Sequence, residues 1–148
     1  MDEQHLRRLI SGVAAGDVTV DEAISRLRDL PFEDLDYAKI DHHRALRTGF
    51  PEVVFCQNKT PEQVLGIMTA LSARSDVVLG TRAPVETYEL VRTQFPDAVY
   101  HQAPRIIQLG TPTMREGCGP ALVVSAGTSD IPVAEEAAVV VEAAGCLV

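Results

Sequence analysis

Three short apolar runs set apart by helix-length segments constrain this chain more than any other feature. Val53 to Cys56, Val77 to Leu79 and Ala98 to His101 are strand-sized rather than helix-sized. After the first, Asn58-Lys59-Thr60-Pro61 supplies a helix start, with Thr60 as N-cap and Pro61 as the first helical residue, and that helix runs to about Arg74. After the second, Gly80-Thr81-Arg82 ends the strand and a helix spans about Val85 to Gln94. The resulting βαβαβ order predicts a small parallel sheet, whose ligands gather beyond the carboxyl ends of its strands. Gln57, Lys59, Thr81 and Arg82 fall on that side. Lys59 and Arg82 are candidate phosphate contacts there, and solvated surface cations would fit the same positions.

Two helices are expected ahead of this unit. Leu6, Leu9, Ile10 and Val13 recur at helical spacing from Gln4 to Ala15, and Gly16-Asp17 break the pattern. A second helix starts at Thr19 with Glu22 reaching back to cap it, buries a stripe of Ala23, Ile24, Leu27 and Leu30, and ends at Pro31. The segment from Tyr37 to Phe50 carries Asp41-His42-His43-Arg44 and Arg47 and reads as a helix end or loop. Its histidines invite a metal reading, but neighbours in sequence do not face one another on a helix. Ion-paired packing, with Arg44 or Arg47 held by Glu52, is the expectation, and no metal site is assigned. His5 and His101 read as incidental.

Thr111 to Pro120 reads as a linker rich in Gly and Pro. Ala121-Leu122-Val123-Val124-Ser125 then has the form of a fully buried strand, Gly127 to Asp130 of a turn, and Pro132 to Ala144 of a helix ended by Gly145. Cys146-Leu147-Val148 would begin another strand. Such a unit cannot cover both faces of a parallel sheet, so the chain is expected to be the front part of a longer protein. Small residues between a strand and a helix let backbone N–H groups and the hydroxyls of Thr128 and Ser129 reach a phosphate, while Asp130 can accept from a ribose hydroxyl. A plain capping turn, with Ser129 or Asp130 satisfying the first N–H groups of the helix, fits equally well.

Composition narrows the partners. Thirteen Lys plus Arg against 21 Asp plus Glu give a net charge of −8, which offers no grip on a nucleic-acid backbone. No uncharged apolar run approaches the ~18 residues of a membrane span, so a soluble cytoplasmic protein is expected. Cys56, Cys118 and Cys146 form an odd set without a paired motif, which predicts reduced thiols, buried or spare.

Ala126-Gly127-Thr128-Ser129-Asp130-Ile131-Pro132-Val133-Ala134-Glu135-Glu136-Ala137 resembles the opening loop of the LarB family and, less closely, its Gly-Ser-x-Ser-Asp counterpart in PurE, the aminoimidazole ribonucleotide carboxylase. Asp41-His42-His43-Arg44 with Arg47, then Gly49-Phe50-Pro51-Glu52-Val53-Val54-Phe55 and Lys59-Thr60, resembles the LarB front domain, which PurE lacks. The resemblance implies an α/β fold: a helical segment over 1–36, a front domain over 37–110, a linker over 111–120, and over 121–148 the first βα unit of a flavodoxin-like or PurE-like three-layer domain.

It also implies carboxylation of nicotinic acid adenine dinucleotide at C5 of the pyridinium ring and hydrolysis of its phosphoanhydride. The products would be the pyridinium biscarboxylate mononucleotide of the nickel-pincer cofactor pathway and AMP. The co-substrate would be CO2 or bicarbonate, assisted by a divalent metal such as Mg, with no covalently bound cofactor. The family's catalytic cysteine and glutamate lie in the second half of the PurE-like domain, so no catalytic residue is assigned here and the chain alone is expected to be inactive. By the same resemblance Ser129 and Asp130 contact ribose or phosphate, Gly127 and Thr128 shape the loop, and the intact protein is a homo-octamer. Two other readings stay open: a PurE-like enzyme of purine synthesis, and a non-catalytic nucleotide-binding or assembly module exposing Val139, Val140, Val141 and Leu147.

Overall fold

The computed structural model describes residues 3–28, 32–42, 44, 48, 50 and 52–148. Leu30, Pro31, His43, Arg47, Gly49 and Pro51, which figured in the sequence reading, lie outside the described residues. Helices α1 (Glu3–Ala15) and α2 (Val20–Arg28) open the chain. The capping box of α2 forms: the Glu22 carboxylate accepts from the Thr19 N–H at 2.9 Å and its hydroxyl at 3.0 Å, while the Glu22 N–H donates to the Thr19 hydroxyl at 3.2 Å. The Thr19 backbone bond, above all, holds the Glu22 carboxyl below its ordinary range. Ala23 is buried on α2, but Ile24, expected in the same stripe, is 52% exposed. The helix packs chiefly on α1, and a helix with one main neighbour buries only a narrow strip.

Strands β1 (Phe32–Asp34) and β2 (Lys39–Asp41) form an antiparallel hairpin in which Glu33 faces Ile40. A strand therefore stands where the sequence predicts a helix end or loop. The turn explains it: Leu35 N–H donates to the Ala38 carbonyl at 2.8 Å, Asp36 takes a left-handed φ of 66°, and the Asp34 carboxylate accepts from Asp36 N–H at 3.0 Å. Ile40, 1% exposed, anchors the hairpin in the core.

The central unit follows as β3 (Val53–Phe55), α3 (Pro61–Ser72), β4 (Val78–Thr81), α4 (Val85–Gln94), β5 (Val99–His101) and β6 (Ile106–Leu109). Thr60 and Gln63 close the capping box of α3 around Pro61. The sheet order is β3-β4-β6-β5. Strands β3 and β4 pair in parallel, as predicted, with Val54 opposite Gly80. The all-parallel expectation fails at the next step, because β6 slots antiparallel between β4 and β5. Only residues 102 to 105 separate β5 from β6, a hairpin length far too short for a parallel crossover. The three predicted strands still run in one direction, and the fold is α/β with a mixed sheet.

Strand β4 lies at the centre, and all of its residues are buried, which is why it reads as a continuous apolar run. Helix α3 covers one face with Val64, Ile67, Met68 and Leu71, joined by Val91 of α4. Burying each such side chain contributes about 1.5–3 kcal/mol. Gly80 permits the close approach, since a Cβ there would stand 3.0 Å from the Cys56 sulfur and 3.3 Å from that of Met68.

The other face, Val77, Leu79 and Ile106, packs against Val139 and Ala143 of α5 (Ile131–Ala143). Val139 is thus buried rather than exposed, Val140 and Val141 are half-buried, and Leu147 remains exposed. Residues 121–125, predicted as a buried strand, form none, and Leu122 and Val124 are 88% and 79% exposed. Among the described residues the segment gains a single backbone bond to another part of the chain, Ala121 N–H to the Leu147 carbonyl at 2.8 Å, and a strand requires a continuous ladder. Residues 146–148 likewise form no strand.

The cysteine expectation is also corrected. Cys118 and Cys146 are joined by a disulfide with their Cα atoms 5.4 Å apart. Proximity follows from backbone pairing on both sides, Arg115 N–H to Gly145 O and Ala121 N–H to Leu147 O, each 2.8 Å. Gly145 ends α5 at a φ of +84°, where a side chain would strike the Thr113 carbonyl and Arg115.

Candidate ligand site

The carboxyl ends of β3, β4 and β5 share a backbone signature: Asn58, Arg82 and Arg105, each just past one of these strands, have φ of 66°, 56° and 54°. Left-handed backbone at a non-glycine residue costs about 1–3 kcal/mol and gathers where function outweighs stability. The loops are fixed by hydrogen bonds. Ala83 N–H donates to the Arg105 carbonyl at 2.8 Å, and the Tyr100 hydroxyl donates to the Ala83 carbonyl at 2.9 Å. Tyr100 also stacks on Tyr88, ring centroids 4.9 Å apart, and burial pushes its phenol pKa up.

Each cation predicted for this side has a protein partner. The Lys59 ammonium donates to the Phe55 carbonyl at 2.9 Å, which folds the side chain back over its own loop. The Nε of Arg82 donates to the Glu136 carboxylate of α5 at 2.9 Å. Arg82 therefore ties the carboxyl end of β4 to the helix that follows the Gly127 loop. Sequence reasoning missed Arg105 and Glu136. Arg105 depends on the unrecognised β5–β6 turn, and Glu136, within the family-like stretch 126–137, meets Arg82 only across 54 residues of chain.

Gly127, at φ −112° and ψ 153°, leads into a 3-10 turn over Thr128–Asp130 that runs directly into α5. Asp130 N–H donates to the Gly127 carbonyl at 3.0 Å. Neither the turn nor the helix has a side-chain cap hydrogen bond, so the capping-turn alternative does not describe this loop. The side chains of Thr128, Ser129 and Asp130 are exposed, and the Ser129 hydroxyl makes only a long 3.5 Å bond to Asp130. Hydroxyl donors and a carboxylate acceptor at the positive end of a 13-residue helix are suited to a ligand combining phosphate with ribose.

The remaining candidates are structural. Cys56 is 1% exposed and its Sγ contacts the Val54 carbonyl at 3.6 Å; burial pushes the thiol up to about 12, the nearby Lys59 opposing only weakly. It is no nucleophile. Glu52, expected to hold an arginine, accepts from the Asp41 N–H at 2.7 Å. His42 is buried at 2% exposure, and the His101 ring meets the Gln108 amide at 3.1 Å. Among the described residues no three His, Cys, Asp or Glu side chains converge. No helix among them is long and apolar enough to cross a membrane.

Fold and loop together define an α/β protein in which Arg82, just past the central strand β4, is tied to the helix that follows an exposed turn. The chain belongs to the LarB/PurE-like N-terminal domain family, whose profile matches residues 32–111. It is also 27% identical over 143 residues to an uncharacterized protein of Methanocaldococcus jannaschii, covering 90% of this chain and 55% of the relative. The chain thus spans about half the length of that curated relative.

Proposed function

We propose that this chain is the amino-terminal portion of an enzyme that carboxylates nicotinic acid adenine dinucleotide on its pyridinium ring and cleaves the phosphoanhydride, in the cytoplasmic synthesis of a nickel-pincer cofactor. The observation that carries the reading is the uncapped, exposed Gly127–Asp130 loop lying directly downstream of a LarB-type front domain. In this role Gly127 and Thr128 shape the loop, Ser129 donates to a phosphate, and Asp130 accepts from a ribose hydroxyl. Lys59 and Arg82, at the carboxyl ends of β3 and β4, supply positive charge for the dinucleotide's phosphates. The electron-poor ring must gain electrons before it can attack CO2, and in this reading a thiolate from the family's downstream segment provides them. Cys56 is too strongly held in its thiol form for that step.

The test is turnover by the protein translated through and beyond the Val148 codon, given the dinucleotide and isotopically labelled bicarbonate. Mass spectrometry should find a doubly carboxylated pyridinium mononucleotide and AMP in equal amounts. Consumption of aminoimidazole ribonucleotide instead would assign the purine reaction. An assembly role is favoured by one feature, the exposure of the apolar side chains of Leu122, Val124 and Leu147, which further chain or a second subunit could cover. Oligomers in which these side chains are covered, without any turnover, would support that reading.

A further inference from the structure

We propose that the Cys118–Cys146 disulfide is a redox switch on the Gly127–Asp130 loop, keeping the loop ordered for its ligand when closed and slackening it when a dithiol reduces it. Its effect on the ligand rests on the nucleotide reading of that loop; its effect on the chain does not. The two cysteines lie 28 residues apart and close a ring that contains the whole loop and all of α5. They meet at the end of α5 remote from the loop. There the Arg115 N–H bond to the Gly145 carbonyl and the Ala121 N–H bond to the Leu147 carbonyl, each 2.8 Å, hold the chain around Cys118 against the chain around Cys146.

From Ala121 the chain returns to Gly127, ahead of the opposite end of α5. Those few residues reach at most about 20–22 Å, and a helix of 13 residues is about 20 Å long. The strap 121–126 therefore has little slack, and its alternation of half-buried Ala121 and Val123 with exposed Leu122 and Val124 is that of extended chain. Release at the Ala121 end frees it up to the loop. Helix α5 is held by other means, through Val139 and Ala143 against the sheet and through Glu136 on Arg82. Cys118 and Cys146 are half-buried and open to a thiol, while Cys56 is buried and takes no part in exchange. In the cytoplasm proposed for this chain, disulfides are as a rule transient ones of this kind. Reduction is a two-electron step. One thiolate of the dithiol attacks either sulfur, and the S–S bond breaks to leave a mixed disulfide and a thiolate that takes up a proton. The second thiol then closes on the mixed disulfide, releasing the other cysteine as a thiol and the reductant as a cyclic disulfide.

Residue-resolved amide exchange, with calorimetric titration by nicotinic acid adenine dinucleotide, tests the switch on the purified chain: oxidised, reduced with dithiothreitol, and as Cys118→Ser/Cys146→Ser. Reduction should speed exchange at Ala121 and Asp130 about tenfold or more, leave Val139 and Ala143 unchanged, and weaken binding about fivefold or more. The variant should behave as the reduced chain with or without dithiothreitol. Exchange at Ala121 and Asp130 that ignores reduction, or that rises equally at Val139 and Ala143, would overturn the switch. So would equal affinity in the two redox states, or a loss of affinity that dithiothreitol also causes in the variant. If neither redox state binds the dinucleotide, the nucleotide reading of the loop fails, and amide exchange alone decides the switch.

Discussion

At the residue scale, Cys56 links packing to pH. Its thiol is pushed from the ordinary 9.0 up to about 12 by burial, so between those values the unfolded chain ionises while the native chain stays protonated. The contribution to stability is complete below pH 9.0 and is lost as pH rises toward about 12. Urea midpoints followed from about pH 8 to about pH 11 should fall for the wild type and fall less steeply for Cys56→Ser. Alkylation gives a second readout of the same thiol. Native protein should take up no label, reduction should expose Cys118 and Cys146, and Cys56 should react only after denaturation.

At the scale of elements, legibility followed the range of the forces involved. The start of α3 was readable because Thr60, Pro61 and Gln63 act within a few residues of one another. Thr60→Ala should accordingly cost about 1 kcal/mol in chemical denaturation without altering the fold. Strands β3, β4 and β5 were readable as apolar runs, whereas β6 was not. Its residues Ile106 to Leu109 are equally apolar, but their place between β4 and β5 is decided by pairing across the sheet. The β1–β2 hairpin hid for the opposite reason, since its turn relies on Asp36 in a left-handed conformation rather than on glycine. At the site, the loop from Gly127 to Asp130 could be located from small residues alone. Its lack of capping bonds, and the reach of Arg82 to a helix 54 residues on, required the folded chain.

Considering the whole molecule, helix α5 is held to the sheet by apolar burial more than by charge. The Arg82–Glu136 pair, partly exposed at 40% and 23%, is worth about 0.2–1 kcal/mol, against about 1.5–3 kcal/mol for burying one valine side chain. A double-mutant cycle at Arg82 and Glu136 should return a coupling in that lower range. Val139→Asp should do far more, because it places an unpaired carboxylate against Leu79 and Ile106. Limited proteolysis should then cut within 111–120 while the fragment carrying β3 to β6 resists. If cleavage there is unchanged, α5 is held by something other than this packing.

If the turn before α5 is the nucleotide loop, Ser129 and Asp130 must both contribute to binding. Titration of the chain with nicotinic acid adenine dinucleotide, comparing wild type with Asp130→Asn and Ser129→Ala, tests it most directly. Binding should be saturable and weakened about tenfold by each change, as expected when a hydrogen bond to a charged group is lost. Binding of equal strength in all three proteins would contradict it.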